Sequence, residues 1–314
     1  MIHDLLHIKY PIIQGAMANI TDGNFAAVLS NCGALGTIAT GGMDVKTARK
    51  EIEECRRKTH NPFAVNIMVT HPQAAQLVDL VIELKVPVVV LGAGNPGVYM
   101  SELARCECMV IPIVSSVALA RRMERAGADA LICEGMEAGG HIGQSTTMAL
   151  LPQVVDAVSI PVVAAGGIAD GRGMNAAFAL GAQGVQIGTR LLTAQECPIH
   201  DKYKQAGLRA SDTATVVTGQ NIGSPVRILK NEMSRQYIAL EKKGSSFEEL
   251  EKLTLGSLRA AVHAGDIKYG SVMMGQIAGL CKKIEPAQSI LDSIMKDSER
   301  QFDQLKEKME NLPC

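Results

Sequence analysis

One histidine in a glycine-rich stretch has the residue type and the surroundings for proton chemistry. His141 lies in the stretch "ICEGMEAGGHIGQSTTM" (132–148), directly after Gly140. Glycines allow the backbone to approach a ligand closely and to adopt positive φ angles, so this stretch predicts a small molecule that meets both backbone and imidazole. The alternative is a flexible surface loop with an incidental histidine. Among the other histidines, His71 is the rival, because it follows the third predicted strand.

Eight apolar runs predict the β-strands that would position such a site, and helical patterns lie between them. Apolar strands that alternate with helices indicate a parallel sheet covered on its outer side. About eight such units predict an α/β fold, a (β/α)8 TIM barrel; a doubly wound sheet, which uses fewer strands, is the alternative. The runs are PIIQG (11–15), LGTIA (35–39), FAVNIM (63–68), VPVVVLG (86–92), MVIPIV (109–114), ADALICE (128–134), IPVVAAGG (160–167) and GVQIGT (184–189).

The chain beyond the predicted barrel changes its pattern. The barrel is expected over 1–195, and polar helical pieces without clear strands predict a small helical lobe over the barrel mouth at 196–280. The segment 281–314 predicts a C-terminal helix that returns to the barrel or forms a dimer interface. Its apolar set is Ile290, Ile294, Phe302, Leu305 and Met309.

Glycines and polar side chains end the predicted strands, at the edge where a barrel of this kind has its active site. The last two loops carry Gly166–Gly167 and Gly188–Thr189. A phosphate bound by their N–H groups is favoured over simple tight turns, because barrels often bind phosphate after these two strands. No GKS or GKT motif occurs, so the phosphate is expected to belong to a cofactor.

The stretch "GAGNPG" (92–97) formally matches the dinucleotide-binding pattern GxGxxG. Pro96 lies inside it, and the next strand ends without the acidic residue that would hold a ribose. We interpret this stretch as a loop at the rim of the barrel.

Composition excludes several classes of function. The net charge is −1 with no basic patch, aromatic residues make up 3% and tryptophan is absent, so no nucleic-acid partner is expected. The N-terminus lacks an apolar signal core, and no run is long enough to span a bilayer. The eight cysteines are scattered without CxxC units, which favours a reducing cytoplasm and gives no metal site.

Seven motifs, in order along nearly the whole chain, carry a family resemblance. They resemble the FMN-dependent enoyl-acyl-carrier-protein reductases (FabK type) of bacterial fatty-acid biosynthesis, within the nitronate monooxygenase-like superfamily. "GAGNPGVYM" and "GSVMMGQIAGL" resemble the reductase branch more closely, whereas "GGHIG" and "AAGGIADG" are shared by the superfamily. The motifs are YPIIQGAM, FAVNIM, LGAGNPGVYM, CEGMEAGGHIG, AAGGIADG, QIGTR and GSVMMGQIAGL.

The resemblance implies a flavoprotein oxidoreductase with FMN, NADH or NADPH as co-substrate, and acyl carrier protein as the carrier of the enoyl chain. It also implies a homodimer and a possible monovalent cation. His141 would lie beside the flavin as the catalytic residue. The implied cofactor-binding residues are Gly15, Ala16, Met17, Asn66, Glu134, Gly140, Gly166, Gly167, Gln186, Gly188 and Thr189.

Two interpretations fit Glu134: a structural carboxylate held by backbone amides, or a carboxylate that holds a ribityl hydroxyl or a loop amide. Asn66 and Gln186 suit a heterocycle that presents donors and acceptors. In a reductase, His141 would stabilise the developing enolate, protonate the α-carbon, or do both. Two other functions remain open: a nitronate monooxygenase, in which His141 acts as a base, and a non-catalytic barrel that binds a phosphate ligand.

Overall fold

A closed barrel of eight parallel strands forms the body of the protein. The computed structural model describes residues 1–311, so the last three residues of the predicted C-terminal segment lie outside it. The first and second strands are joined by a bridge between Ile13 and Leu35, which closes the ring. This confirms the predicted (β/α)8 barrel. The barrel strands are β1 (Ile12–Gln14), β2 (Gly36–Ala39), β3 (Phe63–Met68), β4 (Val88–Gly92), β5 (Met109–Val114), β6 (Leu131–Glu134), β8 (Val162–Ala165) and β9 (Gly184–Ile187).

Helices cover the outside of this barrel, and a short one, α1 (Ile2–Leu6), closes its bottom. Ile2 and Leu6 of α1 pack on the inward-facing residues Ile13 and Leu35. Apolar side chains fill the interior above them, as in other barrels of this type. The room for a ligand is therefore at the opposite, C-terminal ends of the strands. The outer helices that follow successive strands are α2 (Gly23–Asn31), α3 (Val45–Lys58), α4 (Ala74–Glu83), α5 (Gly97–Leu103), α6 (Val117–Arg125), α7 (Thr147–Val155) and α8 (Gly171–Ala179).

The eighth helix of the ring comes from the end of the chain. Helix α13 (Ala287–Glu310) packs on α8 and α2 and thus stands between the last and the first outer helix. Asn175 on α8 donates to the Ser298 carbonyl of α13 at 2.7 Å, and the Asp297 carboxylate accepts from the Gly171 amide at 3.1 Å. The barrel is thus discontinuous in sequence, with its eighth helix inside the segment predicted as 281–314.

Only the first half of α13 is buried. Ile290 and Ile294 pack in the core as the apolar pattern predicts. The same pattern placed Phe302, Leu305 and Met309 on a packing face, whereas all three are exposed in this single chain. The helix runs beyond the edge of the barrel wall, so no element of the described chain covers its second half.

Between β9 and α13 the chain forms a lobe that contains strands as well as helices. The sequence predicted helices without clear strands, but a hairpin is present, and its second strand pairs with the short strand β7 (Gly140–His141). Ile228 of the hairpin forms the lobe core with Met233, Tyr237 and Leu250, and Val216 and Val226 from its two strands pack against this core. The lobe elements are α9 (Asp201–Leu208), β10 (Thr215–Thr218), β11 (Val226–Leu229), α10 (Glu232–Lys242), α11 (Phe247–Thr254), α12 (Ser257–Arg259) and a π-helical turn (Ala260–Ala264).

Residues 1–311 contain neither a candidate membrane-spanning helix nor a candidate metal-binding cluster. No helix is long and apolar enough to cross a bilayer. Within the same residues, no group of three or more His, Cys, Asp or Glu side chains is placed to hold a metal ion.

Candidate functional site

A large cavity lies at the C-terminal ends of the barrel strands. Its volume is about 1250 Å³, open mouth included, which is ample for a cofactor-sized ligand. The structure brings all twelve residues singled out in the sequence into its lining. They are Gly15, Ala16, Met17, Asn66, Glu134, Gly140, His141, Gly166, Gly167, Gln186, Gly188 and Thr189.

Amide and carboxyl side chains from three strands form the polar part of the floor. Asn66 faces the cavity from β3 and is 6% exposed, with its Nδ2 donating to the Val90 carbonyl at 3.3 Å. Gln186 on β9 is 7% exposed. Glu134 is the last residue of β6. Carboxamides here offer donors and acceptors to a ligand in the cavity.

The carboxyl group of Glu134 is reached by solvent through the cavity and is enclosed by protein elsewhere. This burial raises the pKa of Glu134 from 4.5 to about 7, because a charge is costly where water is excluded. Glu134 therefore changes its protonation state near neutral pH. A protonated carboxyl donates a hydrogen bond and an ionised one accepts, so both of its predicted roles depend on pH.

The loops after β8 and β9 present free backbone donors to the cavity. Among the described residues, no acceptor is present for the N–H groups of Gly166, Gly167, Gly188 and Thr189. Backbone donors are nearly always satisfied in folded proteins. Four neighbouring donors at the phosphate-binding rim of a barrel therefore form a site for an anion.

The glycine at the start of the first of these loops is required by the backbone. Gly166 has φ of +89°, and a Cβ on it would lie 2.8 Å from the Gly135 carbonyl oxygen. Gly188 differs, because its φ is −118° and a Cβ there would point toward the sulfur of Met17 at 3.8 Å. The first glycine shapes the loop, and the second keeps the cavity open.

His141 is held at the cavity by the lobe. It pairs in register with Val226 of β11, and the next amide, that of Ile142, donates to the Pro225 carbonyl at 3.1 Å. His141 is exposed toward the cavity, and the protein atoms around it lower its pKa below the usual 6.5 by desolvation. The side chain is thus neutral at pH 7, with one N–H donor and one acceptor nitrogen.

Arg227 fixes the same loop from the lobe side, and sequence reasoning missed it. Its guanidinium is buried and donates from Nε (3.0 Å) and Nη2 (2.8 Å) to the Met136 carbonyl and from Nη1 (3.1 Å) to Thr215 Oγ1. Glu137 is near enough to favour its charge. The β-branched runs on both sides of the Gly219–Gly223 turn were the available signal for this hairpin.

Glu137 is a second residue that the sequence did not single out. Its carboxylate accepts from the amide (2.9 Å) and the hydroxyl (3.0 Å) of Thr147, at the start of α7. Its carbonyl accepts from the Gln276 amide at 2.9 Å. The histidine loop is thereby tied to the barrel wall and to the segment "GSVMMGQIAGL", while Gly275 of that segment donates to Thr189 Oγ1 at 2.8 Å.

His71 and the "GAGNPG" stretch (92–97) are the two sequence features that suggested other interpretations of the site. His71 is absent from the cavity lining, and its Nδ1 accepts from the Gln73 amide at 3.1 Å. The "GAGNPG" stretch forms the loop before α5, and Gly92 and Ala93 from it line the cavity. This agrees with its interpretation as a rim loop.

The closed (β/α)8 barrel and the free amides on its last two loops are features of one class of protein. In this class, the barrel holds a phosphorylated cofactor at this rim. Comparisons with known proteins specify the family. The nitronate monooxygenase family matches residues 1–79 and 73–297. The chain belongs to this family and is a flavin-dependent oxidoreductase, which confirms the resemblance at the level of the family.

Individual relatives lie on two branches. The structure of FabK from Thermotoga maritima has 47% sequence identity to this chain and a TM-score of 0.95, covering 98% of both chains. A nitroalkane oxidase from Streptomyces ansochromogenes has 27% identity and a TM-score of 0.85, covering 97% of this chain and 99% of that one. A probable nitronate monooxygenase from Staphylococcus saprophyticus is 32% identical over 94% of this chain and 96% of its own length.

Proposed function

We propose that this protein reduces trans-2-enoyl thioesters carried by acyl carrier protein, using FMN and NADH or NADPH, as the last step of a fatty-acid elongation cycle. The observation that carries the proposal is the 47% identity to FabK over nearly the whole chain, against 27% to the nitroalkane oxidase. The stretches "GAGNPGVYM" and "GSVMMGQIAGL", which resemble the reductase branch, both contribute to the rim of the cavity.

The residues of the cavity fit FMN. The free amides of Gly166, Gly167, Gly188 and Thr189 suit its phosphate, because they form an uncharged anion site. We assign Asn66 and Gln186 to the heterocycle and Glu134 to a ribityl hydroxyl. The backbone of Gly15, Ala16 and Met17 and that of Gly140 complete the assigned contacts.

When bound, FMN supplies the hydride transfer between NAD(P)H and the enoyl thioester. His141 performs the proton chemistry. Its neutral imidazole donates an N–H to the thioester oxygen, where negative charge develops as the enolate forms. The α-carbon also needs a proton, which His141 relays: the acceptor nitrogen of the ring takes up a proton from water and the ring returns to neutral by giving one to carbon. Arg227 and Glu137 hold the loop of His141 in place, and Leu258 and Met273 form one wall of the cavity.

Four further points of the proposal rest on the family resemblance. The enoyl chain is delivered by acyl carrier protein, and the protein is a homodimer in the cytoplasm. A monovalent cation supports activity. Light scattering with size exclusion tests the dimer, and assays in sodium, potassium and ammonium salts test the cation.

A paired assay tests the function directly. Purified protein with flavin bound is expected to oxidise NADH or NADPH only when a trans-2-enoyl thioester such as crotonyl-coenzyme A is added. In parallel, oxygen uptake is measured with an alkyl nitronate. Nitronate-dependent oxygen uptake without enoyl-dependent NAD(P)H oxidation would overturn the proposal.

The second candidate is a nitronate monooxygenase, which the curated relatives favour by name. One feature of the site also suits it. The lowered pKa of His141 keeps its imidazole neutral, and a neutral imidazole can act as a base on a nitroalkane α-carbon. The paired assay separates this candidate from the reductase.

A further inference from the structure

A second cavity opens beside the first one, inside the lobe. Its volume is about 770 Å³, open end included. Three side chains line both cavities, those of His141, Leu258 and Met273. They form the boundary between the candidate active site and this second cavity. We call it the lobe chamber and define it by Ile222, Val226, Ile228, Tyr237, Thr254 and Ser271.

The walls of the lobe chamber are largely apolar. Ile228 and Tyr237 belong to the lobe core and are 1% and 4% exposed. Ile222, Val226 and Met273 pack on that core. The chamber therefore lies against the apolar core of the lobe and opens to solvent beside the exposed residues Ser224, Phe247 and Glu251, and burial of hydrocarbon along its apolar wall is favourable.

Three of the hydroxyl groups that line the chamber, those of Thr218, Ser257 and Ser271, are already used within the protein. Thr218 donates to the Val226 carbonyl at 3.3 Å. Ser257 donates to the Thr254 carbonyl at 2.7 Å, and its hydroxyl also pairs with that of Ser271 at 2.7 Å. Their polar capacity is largely satisfied by these bonds. Apart from the hydroxyls of Ser224 and Tyr237 and the carboxyl of Glu251, the chamber thus offers a ligand mainly methyl and methylene surface.

The charge of the lining argues against a nucleotide. Among the described residues that line the chamber, Glu251 carries the one full charge at neutral pH, and no lysine or arginine is present. The pyrophosphate of NAD(P)H would meet a carboxylate and no cation, which is unfavourable. An uncharged, apolar occupant fits this lining.

We propose that the lobe chamber holds the hydrocarbon chain of the acyl substrate and sets the preferred chain length. This rests on the proposed function, because His141 places the thioester at the boundary of the chamber. The chain beyond the reacting double bond then passes Leu258 and Met273 into the lobe. Leu258 stands two residues before the π-helical turn Ala260–Ala264, a feature frequent at functional sites. Both boundary residues are unbranched at Cβ and can change rotamer.

The test narrows the chamber and measures how binding depends on chain length. Thr254→Phe places a ring in the chamber from a half-buried position at the end of α11, and Thr254→Val is the matched control. Flavin-loaded protein is titrated with saturated butanoyl-, octanoyl- and dodecanoyl-coenzyme A by calorimetry. Each methylene buried in the wild type is expected to lower Kd by up to about fourfold.

The expected result is a loss confined to long chains. Thr254→Phe should weaken dodecanoyl binding tenfold or more and leave butanoyl binding and flavin content unchanged, whereas Thr254→Val keeps the wild-type dependence. If Thr254→Phe fails to fold, Ile222→Trp narrows the chamber from the β10–β11 loop. A variant that folds and keeps the full chain-length dependence, or that loses short and long chains alike, would overturn the proposal.

The same experiment separates this inference from the proposed function. If wild type binds acyl thioesters in a chain-length-dependent manner but does not reduce crotonyl-coenzyme A, the reductase proposal is overturned and the chamber is still an acyl site. If wild type reduces crotonyl-coenzyme A while Thr254→Phe keeps an unaltered preference for long chains, the chamber proposal is overturned and the reductase proposal is kept.

Discussion

His141 combines two properties that define its chemistry: it borders both cavities, and its pKa is lowered by desolvation. A neutral imidazole can donate a hydrogen bond to an enolate oxygen without carrying a permanent positive charge. Such a donor stabilises charge where it develops during the reaction. In the proposed reductase reaction, the histidine acts at the step that involves the thioester, and the arrival of hydride from NAD(P)H does not require it.

We predict that His141→Ala retains flavin and its reduction by NAD(P)H but loses the second half-reaction. Reoxidation of the pre-reduced protein by an enoyl thioester should slow about a hundredfold or more, the usual loss when one such donor or general acid is removed. Stopped-flow absorbance of the flavin measures this step. His71→Ala, outside the cavity, is the control, and a wild-type rate in His141→Ala would make His141 a structural loop residue.

The raised pKa of Glu134 predicts that the free energy of unfolding depends on pH. Its pKa is raised from 4.5 to about 7 in the folded protein, so the folded state binds this proton more tightly than the unfolded state. The protonated carboxyl thus contributes stability below pH 4.5, and that contribution falls as pH rises toward 7.

The measurement compares wild type with Glu134→Gln by urea unfolding of flavin-free protein. Relative to the variant, the free energy of unfolding of wild type should decrease by roughly 3 kcal/mol at most between pH 4.5 and 7 and then level off. Parallel curves for the two proteins across this range would show that the carboxyl is not desolvated.

At the scale of elements, the loops after β8 and β9 use their glycines for different purposes. Gly166 has a positive φ and shapes its loop, whereas Gly188 has a negative φ and leaves room in the cavity. We predict that Gly188→Val empties the flavin site while the barrel remains folded, because the added side chain enters the cavity without backbone strain. Gly188→Ala should show a partial loss. Flavin absorbance per protein and circular dichroism measure the two effects.

The control for this prediction is Gly127→Ala, remote from the rim. Gly127 has φ of +91°, and a Cβ there would meet just Ala104, at 3.7 Å. This variant should lose about 1–3 kcal/mol of stability through strain yet keep its flavin. Full flavin occupancy in Gly188→Val would contradict the placement of the phosphate.

The eight barrel strands were predictable because each is a largely apolar run with most of its residues buried, as in FAVNIM or MVIPIV. The strands β10 and β11 were missed although their β-branched residues were a local signal, and the pairing of β11 with residues 140–141, far away in sequence, had no local signal. For the same reason Arg227 escaped notice, since its acceptor, the Met136 carbonyl, is a backbone group without a sequence signature. The glycines and carboxamides were predicted to collect at one rim because they lie at the ends of the predicted strands, and in the structure they line one cavity.

At the scale of the whole molecule, the barrel depends on a helix supplied from beyond the lobe. We predict that deletion of 287–314 prevents stable folding, because Ile290, Leu291 and Ile294 are fully buried against the barrel. Their burial contributes roughly 5–9 kcal/mol, comparable to the total stability of a typical domain. Urea unfolding and flavin content measure the outcome.

A shorter deletion provides the matched control. Removal of 301–314 takes away Phe302, Leu305 and Met309, which are exposed in the single chain. Its free energy of unfolding at low protein concentration should stay within about 1 kcal/mol of wild type. If both truncations behave alike, the first half of α13 does not hold the ring together.

The bridge between Ile13 and Leu35 and the late position of α13 have a consequence for synthesis on the ribosome. Strand β1 emerges first but pairs with β9, so its outer edge stays open until more than half of the chain has been made. After β9, the ribosome adds the lobe for roughly 5–20 seconds before α13 can cover α8 and α2. Throughout that interval the nascent protein carries an uncovered apolar groove on its outer wall. We therefore expect chaperone occupancy to fall sharply once residue 294 has left the exit tunnel.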